Sequence, residues 1–406
     1  MGLLRLHAFW TKHRNTILRV SIVLLALYAC AKLGDEFYRL TLRPDRPGAI
    51  DLKLRYREVH EWFAGNPVYG RIPQAVYPPA TYAILWPFLG WMSLGAARWF
   101  WAATSAGALA WLAVLLVRES GAQDRPERWF VALMPLSLIG TGVCLGNGQL
   151  TIHLLPALLT GLVLMCRPGG SWGRDAAAAG LMAIALAKPS IAAPFFWIAL
   201  FAPGRLRPAA LTLLFYGLLT VGAAHFQKPG LFELMGQWLK FAPMEVAEQG
   251  YADLYKWMTL LGLKAYALHV SLAVLAAAGI WVYQHRRADL WLQLSVVAMV
   301  ARLWTYHRQY DNMLLLPPML VLFRVAREDA EVERRTAAGL LLALLLVALM
   351  LPARMLEWWP QPWPFLFSLV HTALFLAALV FLLREGQRRT MHSFHSTFQS
   401  FNSSLQ

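Results

Sequence analysis

Two ionisable side chains stand out because they lie next to long apolar segments and can do acid–base or anion-binding chemistry. Asp51 begins a mixed apolar and charged segment shortly after the first apolar run. A carboxylate in that position can remove a proton from an incoming hydroxyl group, or it can simply cap a helix N-terminus. Lys188 precedes Pro189 in the middle of the apolar stretch 176–201. It can bind a phosphate, or it can extend towards water beside a helix kink.

Three further polar sites lie between apolar runs. The segment 304–312 contains His307, Arg308 and Asp311; its aromatic residues suit a membrane interface, and Arg308 and Asp311 could form an ordinary ion pair. Tyr77 precedes two prolines, and Asn147 and Gln149 belong to a Gly-Asn-Gly-Gln turn. Turn formation explains the glycines and prolines, whereas the amides could also bind a sugar hydroxyl.

Composition defines the class of protein that must position these groups. The chain has 406 residues, of which 58% are hydrophobic and 15% are charged, against about 45–50% and about 25% in soluble domains. The aromatic content of 13% excludes a disordered chain. The net charge of +15 comes from short basic clusters between apolar runs, so we expect no nucleic-acid partner. The sequence predicts an all-α polytopic membrane protein.

We expect about twelve crossings, each needing roughly 20 helical residues, with 176–201 forming two short helices that meet at Lys188. The other predicted spans are Ile17–Leu33, Arg98–Val117, Trp129–Leu145, Leu150–Cys166, Ala209–Ala224, Ala265–Tyr283, Leu290–Leu303, Met313–Phe323, Ala337–Leu351 and Phe365–Leu383. No matching interruption is evident in another half of the chain, where a transporter would place one. The spans form a single domain over 1–383, followed by a cytoplasmic tail over 384–406, of which Met391–Gln406 is expected to be loose.

The basic loops orient the chain, because cytoplasmic loops carry the excess of Lys and Arg. Both termini are then inside, and the long loops 34–97 and 226–264 are outside. This requires Pro79–Leu94 to be a re-entrant or interfacial helix; if it crosses, every later loop changes side. In 34–97 an amphipathic helix is expected to lie in the headgroup plane. Its apolar positions are Leu52, Tyr56, Val59, Trp62 and Phe63, and its polar positions are Lys53, Arg55, Arg57, Glu58 and Glu61.

Several cofactor and nucleotide motifs are missing from the sequence. It has no Gly-rich nucleotide loop, no Cys/His metal spacing, no Ser nucleophile elbow and no Asp-x-Asp pair. The three cysteines, Cys30, Cys144 and Cys166, all lie in apolar runs. We therefore expect no metal or other cofactor, and no ATP or nucleotide-sugar substrate. Any phosphate must be bound by Lys, Arg or His.

Five motifs in order resemble glycosyltransferase family 87, whose members are C-type (GT-C) membrane enzymes that use polyprenyl-phosphate sugars. The motifs are DLKLRYREVHEWFAGNPVYG, YPPATYAILWPFLG, GNGQLTIHLL, ALAKPSIAAPFFWIALF and WTYHRQYDNMLLLPPML. They cover the chain from about Ala49 to Phe323.

The resemblance implies roles for the polar residues. Asp51 would be the general base, His307 would lie near the donor phosphate, and Lys188 and the Gly-Asn-Gly-Gln turn would lie near the site. Family members often have Ser and Trp before a His or a His pair, whereas this chain has RLWTYHRQYD. Arg308 or Asp311 could therefore share or replace the role of His307. We assign Lys188, His307 and Arg308 to the donor phosphate, and Tyr77, Asn147, Gln149 and Asp311 to substrate binding.

The implied reaction moves a sugar from a polyprenyl-phosphate donor to a hydroxyl group of a glycolipid or glycan, with inversion and without a metal. Mannose is the first choice of sugar, with glucose and arabinose as alternatives. The site would face the periplasm or exterior of the cytoplasmic (inner) membrane, where membrane lipids surround the protein. The alternatives are a transporter or flippase of a lipid-linked or anionic solute, and an inactive structural subunit.

Overall fold

The computed structural model describes residues 2–43, 48–246, 251–352 and 359–403, and within these ranges it contains helices and no strands. The first nine helices are α1 (Gly2–Thr41), α2 (Ile50–Phe63), α3 (Pro79–Leu89), α4 (Leu94–Glu119), α5 (Arg125–Ser137), α6 (Ile139–Asn147), α7 (Thr151–Cys166), α8 (Trp172–Ala185) and α9 (Pro189–Ala192). The others are α10 (Phe196–Phe201), α11 (Leu206–Ala224), α12 (Leu231–Val246), α13 (Leu254–Leu260), α14 (Ala267–Gln284), α15 (Leu290–Leu303), α16 (Leu316–Glu328), α17 (Val332–Met350) and α18 (Trp363–Ser403). Short 3₁₀ turns cover Ala193–Phe195, Lys264–Tyr266 and Gln309–Leu315.

Five of the described helices are long and apolar enough to cross a membrane, and the number rises to seven if each of two bent pairs counts as one span. The chain is therefore a polytopic all-α membrane protein, but the predicted twelve crossings are not confirmed. α7 and α15, with 16 and 14 residues, are apolar but shorter than the roughly 20 residues that a straight crossing needs. α3 has only 11 residues, a length that suits the predicted re-entrant or interfacial helix.

The bundle buries its core between neighbouring helices. α1 packs on α5 and α6, α7 packs between α4 and α8, and α11 packs on α8 and α3. α15, α16 and α17 pack in succession on one another. Helix starts follow local signals: Asp124, Ser171 and Asp289 each accept a backbone N–H in the first turn of α5, α8 and α15.

Two helix pairs are bent among the described residues. The pair α8 and Pro189–Phe201 turns by 119° at the predicted Lys188-Pro189 break. A second pair, α5 and α6, turns by 49° around Leu138, in the same half of the chain as the break at Lys188. Pro135 lies just before this bend, and its carbonyl accepts a hydrogen bond from Thr141 Oγ1 at 2.6 Å.

The helix α2 forms where an amphipathic helix was expected, but its polar face was assigned wrongly. Leu52, Val59 and Trp62 are buried as predicted, and so are Arg55 and Glu58. Trp62 donates through Nε1 to the Ala223 carbonyl at the end of α11, at 2.8 Å. The helix α2 is therefore packed against other helices through charged as well as apolar side chains.

The last helix also differs from its prediction. The chain was expected to leave its final span at Leu383 and end in a loose tail, but α18 continues as one helix to Ser403. The segment 384–403 is therefore helical, and residues 404–406 lie outside the described part of the chain.

Candidate active site

The break at Lys188 is stabilised by side chains from other elements. Proline at the first position of α9 starts a new helix and cannot continue the old one. Thr81 Oγ1, from the first turn of α3, donates to the Ala187 carbonyl at 2.7 Å. Trp304 Nε1, at the end of α15, donates to the Ser190 carbonyl at 3.0 Å. These bonds satisfy carbonyl groups next to the break and fix the position of Lys188.

Lys188 forms a buried ion pair with a residue far away in the sequence. Its Nζ lies 2.7 Å from Asp311 Oδ1, and the two residues are 8% and 1% exposed. Thr151, at the start of α7, accepts from Lys188 Nζ at 3.3 Å and donates to the same Asp311 oxygen at 3.0 Å. Lys188 therefore has polar partners, Asp311 and Thr151, that its apolar neighbours in the sequence could not provide.

His307 binds the other oxygen of Asp311. The distance from His307 Nδ1 to Asp311 Oδ2 is 2.9 Å, and the His307 side chain is fully buried. Burial lowers the pKa of His307 and so favours the neutral ring. Because a carboxylate oxygen accepts, Nδ1–H is the donor to Asp311. Its Nε2 has no hydrogen-bond partner among the described residues.

The surroundings of Asp311 keep it ionised. Burial opposes its charge, but Lys188 and the hydrogen bond from His307 outweigh that effect and lower the pKa of Asp311. Arg308 was considered as an ion-pair partner of this carboxylate, but within the described chain Asp311 forms its ion pair with Lys188 and accepts a hydrogen bond from His307. Arg308 Nε instead donates to Tyr306 Oη at 2.6 Å.

Asp51 does not cap its helix, which corrects one of the two interpretations of this residue. The N-cap of α2 is Ala49, at φ 55°, and Asp51 lies inside the first turn. Burial raises the pKa of Asp51, while the charge of nearby Arg55, a hydrogen bond accepted from the Gln149 side chain, and the charges of Lys188 and Arg308 act in the opposite direction. Asp51 is therefore a half-buried carboxylate close to the cations of the site.

The turn between α6 and α7 places Gln149 next to Asp51. α6 ends at Gly148, at φ 71°, a left-handed conformation that suits glycine. The Ala49 N–H donates to the Gly146 carbonyl at 2.8 Å, which attaches the start of α2 to this turn. Asn147 points elsewhere: its Oδ1 accepts from Arg39 at 2.8 Å. The two amides of the motif thus have different partners.

Tyr77 completes the set of predicted residues. It is buried, and the charges of Lys188, Arg55, Asp51 and Asp311 all act on its hydroxyl group. The Arg55 guanidinium lies over the Tyr77 ring, 4.4 Å from its centroid. Tyr77 therefore lies at the same site as Lys188 and Asp51.

Sequence reasoning missed Arg55, Glu58 and Thr151. Arg55 NH2 lies 2.9 Å from Glu58 Oε1 and donates to the Gln74 carbonyl at 3.0 Å. Asp51, Arg55 and Glu58 are spaced four and three residues apart, so they share one face of α2. That spacing was visible in the sequence, but charged residues on an amphipathic helix are usually solvated. Thr151 gave no comparable signal.

The comparisons with known proteins come to one positive result. The model of glycosyltransferase family 87 matches residues 75–323, a range that contains Tyr77, Gln149, Lys188 and the segment 304–312. Asp51 lies before the matched range. Neither the search of curated proteins nor the search of solved structures gives a significant match.

Proposed function

Since this chain belongs to glycosyltransferase family 87 and is a membrane glycosyltransferase, we propose that it uses a polyprenyl-phosphate sugar as donor. We further propose that it transfers mannose to a hydroxyl group of a glycolipid or glycan, at the extracytoplasmic face of the cytoplasmic membrane. The observation that supports this most is the combination of a half-buried carboxylate, Asp51, with the cations Lys188 and Arg308. A base and an anion site side by side suit transfer from a phosphate leaving group to a hydroxyl.

Asp51 is the proposed general base, and Asp311 is not. The raised pKa of Asp51 makes its carboxylate a stronger base than an ordinary aspartate. Asp311 accepts from Lys188, Thr151 and His307, so protonating it would break an existing ion pair. Two carboxyl groups with opposite pKa shifts fit two different roles.

The proposed step is a single displacement. Asp51 takes the proton of the acceptor hydroxyl as its oxygen forms a bond to the anomeric carbon. The bond from that carbon to the phosphate oxygen breaks, and its electron pair stays on the phosphate. One attack inverts the configuration. Polyprenyl phosphate is itself a good leaving group, so the step uses no metal.

The anion of the leaving group would be stabilised mainly by Arg308 and Lys188. Within the described chain, the hydrogen bond of the Arg308 guanidinium is made by Nε, which leaves its two terminal nitrogens for a phosphate. Lys188 is partly neutralised by Asp311. His307 donates to Asp311 through Nδ1, which leaves its Nε2 for the donor phosphate. To donate a hydrogen bond to the phosphate, Nε2 must first take up a proton. An approaching anion favours that protonation.

A transporter is the second candidate from the sequence. Among the described residues, two helix pairs are bent, at Leu138 and at Lys188, but both lie in the first half of the chain and not in two matching halves. The two bends differ widely, at 49° and 119°. Family membership is what favours transfer over transport.

The test is transfer by the purified protein, supplied with radiolabelled polyprenyl-phosphate sugars and candidate lipid or glycan acceptors. We expect labelled product from the wild type, and a loss of about 10²–10⁴-fold in Asp51→Asn because an amide cannot accept the proton. Asp35→Asn is the matched control, since Asp35 is exposed on α1. Labelled product formed at a near-normal rate by Asp51→Asn would remove Asp51 from the mechanism, and uptake into vesicles without product would favour the transporter.

A further inference from the structure

The backbone of His307 is held from both sides by one short segment of the second long loop. The Tyr251 N–H donates to the His307 carbonyl at 2.9 Å. The His307 N–H donates to Asp253 Oδ2 at 3.1 Å. His307 is thus fixed by hydrogen bonds to residues more than fifty positions earlier in the chain.

Asp253 is itself rigidly placed. Its side chain is fully buried, and its Oδ1 accepts from the Lys256 N–H at 2.9 Å, which caps α13. Its Oδ2 accepts from the Tyr251 N–H at 2.8 Å in addition to the His307 N–H. One carboxylate therefore accepts three backbone N–H groups, which offset the cost of burying its charge.

A second residue joins the same segment to the far side of the Asp311 turn. Arg302, fully buried in the last turn of α15, donates through NH2 to the Tyr251 carbonyl at 2.8 Å. Its Nε donates to Asn312 Oδ1 at 2.7 Å. Residues 307–312 are therefore attached at both ends to the segment around Tyr251 and Asp253.

We propose that Asp253 is a positioning residue that orients His307, and through it Asp311 and Lys188, towards the donor. The inference rests on the proposed function, because it needs the His307–Asp311–Lys188 group to face the donor phosphate. Loss of the Asp253 contact lets the His307 backbone shift, and small shifts of groups that contact a reacting phosphate are costly. The second long loop thereby sets the geometry of the phosphate site.

Asp253→Ser is the most informative variant. Serine is also a good N-cap, so its one oxygen can keep the start of α13 in place of Oδ1. It has no second oxygen in the place of Oδ2, which accepts from the His307 N–H. We expect transfer to fall about tenfold, the effect of one charge-assisted hydrogen bond. The loss should appear in kcat/KM for the donor, with the KM of the acceptor unchanged. Asp289→Ser is the control, because Asp289 caps α15 in the same way and has no contact with His307.

A double-mutant cycle with His307→Ala separates positioning from general support of the fold. If Asp253 acts through His307, Asp253→Ser has less than about a twofold further effect in the His307→Ala background. Additive losses, an unchanged rate in Asp253→Ser, or a loss at Asp253 without one at His307 would each overturn the proposal. Asp253→Asn, which keeps one acceptor oxygen, replaces the serine variant if that protein does not fold. The proposed function is judged separately, by Asp51→Asn.

Discussion

Three carboxyl groups on or near α2 and the 307–312 turn have different acidities because their surroundings differ. Burial raises the pKa of Asp51 above its usual value and that of Glu58 to about 7. Asp311 shifts the other way, because Lys188 and His307 favour its charged form more than burial opposes it. By residue type alone these carboxyl groups would have similar pKa values. Their surroundings make Asp51 a candidate base and Asp311 a structural anion.

Glu58 should make stability depend on pH. Its pKa is about 7 in the folded protein against an ordinary 4.5, so the folded state holds a proton that the unfolded state has lost between these values. Stability is therefore full below about 4.5 and falls as the pH rises to about 7. We expect the unfolding temperature in detergent, followed by tryptophan fluorescence, to fall over this range in the wild type and to fall less in Glu58→Gln.

The control for Glu58 is Glu61→Gln on the same helix. Glu61 is only partly buried and accepts a hydrogen bond from Asn66 at 2.8 Å. This variant should keep the pH dependence of the wild type. An equal decline in Glu58→Gln and the wild type would mean that Glu58 is not the titrating group.

At the scale of elements, the contact between α2 and the α6–α7 turn decides where Asp51 lies. The Ala49 N–H binds the Gly146 carbonyl, and Gly148 packs closely on Leu52. A Cβ atom at Gly148 would come within 2.5 Å of Leu52 Cβ. Gly148 is thus needed for close packing as well as for the turn.

Gly148→Ala should therefore damage the site. The left-handed backbone costs a non-glycine residue about 1–2 kcal/mol, and the contact with Leu52 would push α2 and Asp51 away from Gln149. We expect a lower unfolding temperature and a fall in kcat of about tenfold or more, measured in the transfer assay, because misplaced reacting groups slow catalysis strongly.

Gly180→Ala provides the comparison. Gly180 lies inside α8 with open space around it, where alanine favours the helix by up to about 1 kcal/mol. This variant should keep full activity and equal or greater stability. If Gly148→Ala behaves in the same way, the close contact does not position Asp51.

At the scale of the whole molecule, the basic loops predict on which side the site lies. The loop that contains Arg71 joins α2 to α3 near the site, and Arg287 lies in a short basic loop before α15; both side chains are exposed. Because cytoplasmic loops carry the excess of Lys and Arg, we expect these two positions on opposite sides of the membrane.

Single-cysteine labelling tests whether Arg71 and Arg287 lie on opposite sides of the membrane. After replacement of Cys30, Cys144 and Cys166 by alanine, Arg71→Cys should react with a membrane-impermeant maleimide in intact cells, once any outer membrane is permeabilised. Arg287→Cys should react only after the inner membrane is opened. Labelling of both in intact cells, or of Arg287→Cys alone, would contradict the predicted orientation.

The sequence by itself determined the class of protein, the family, the break at Lys188 and the polar residues that assemble at the site. These follow from local composition, proline chemistry and motif order, which need no knowledge of long-range contacts. Only the tertiary structure decided that Lys188 pairs with Asp311, that Arg55 and Glu58 are buried, that Asn147 turns to Arg39, and that Asp253 holds His307. Each of these depends on contacts between residues brought together by helix packing, or on which helix face that packing covers, and a linear pattern of residue types does not specify either.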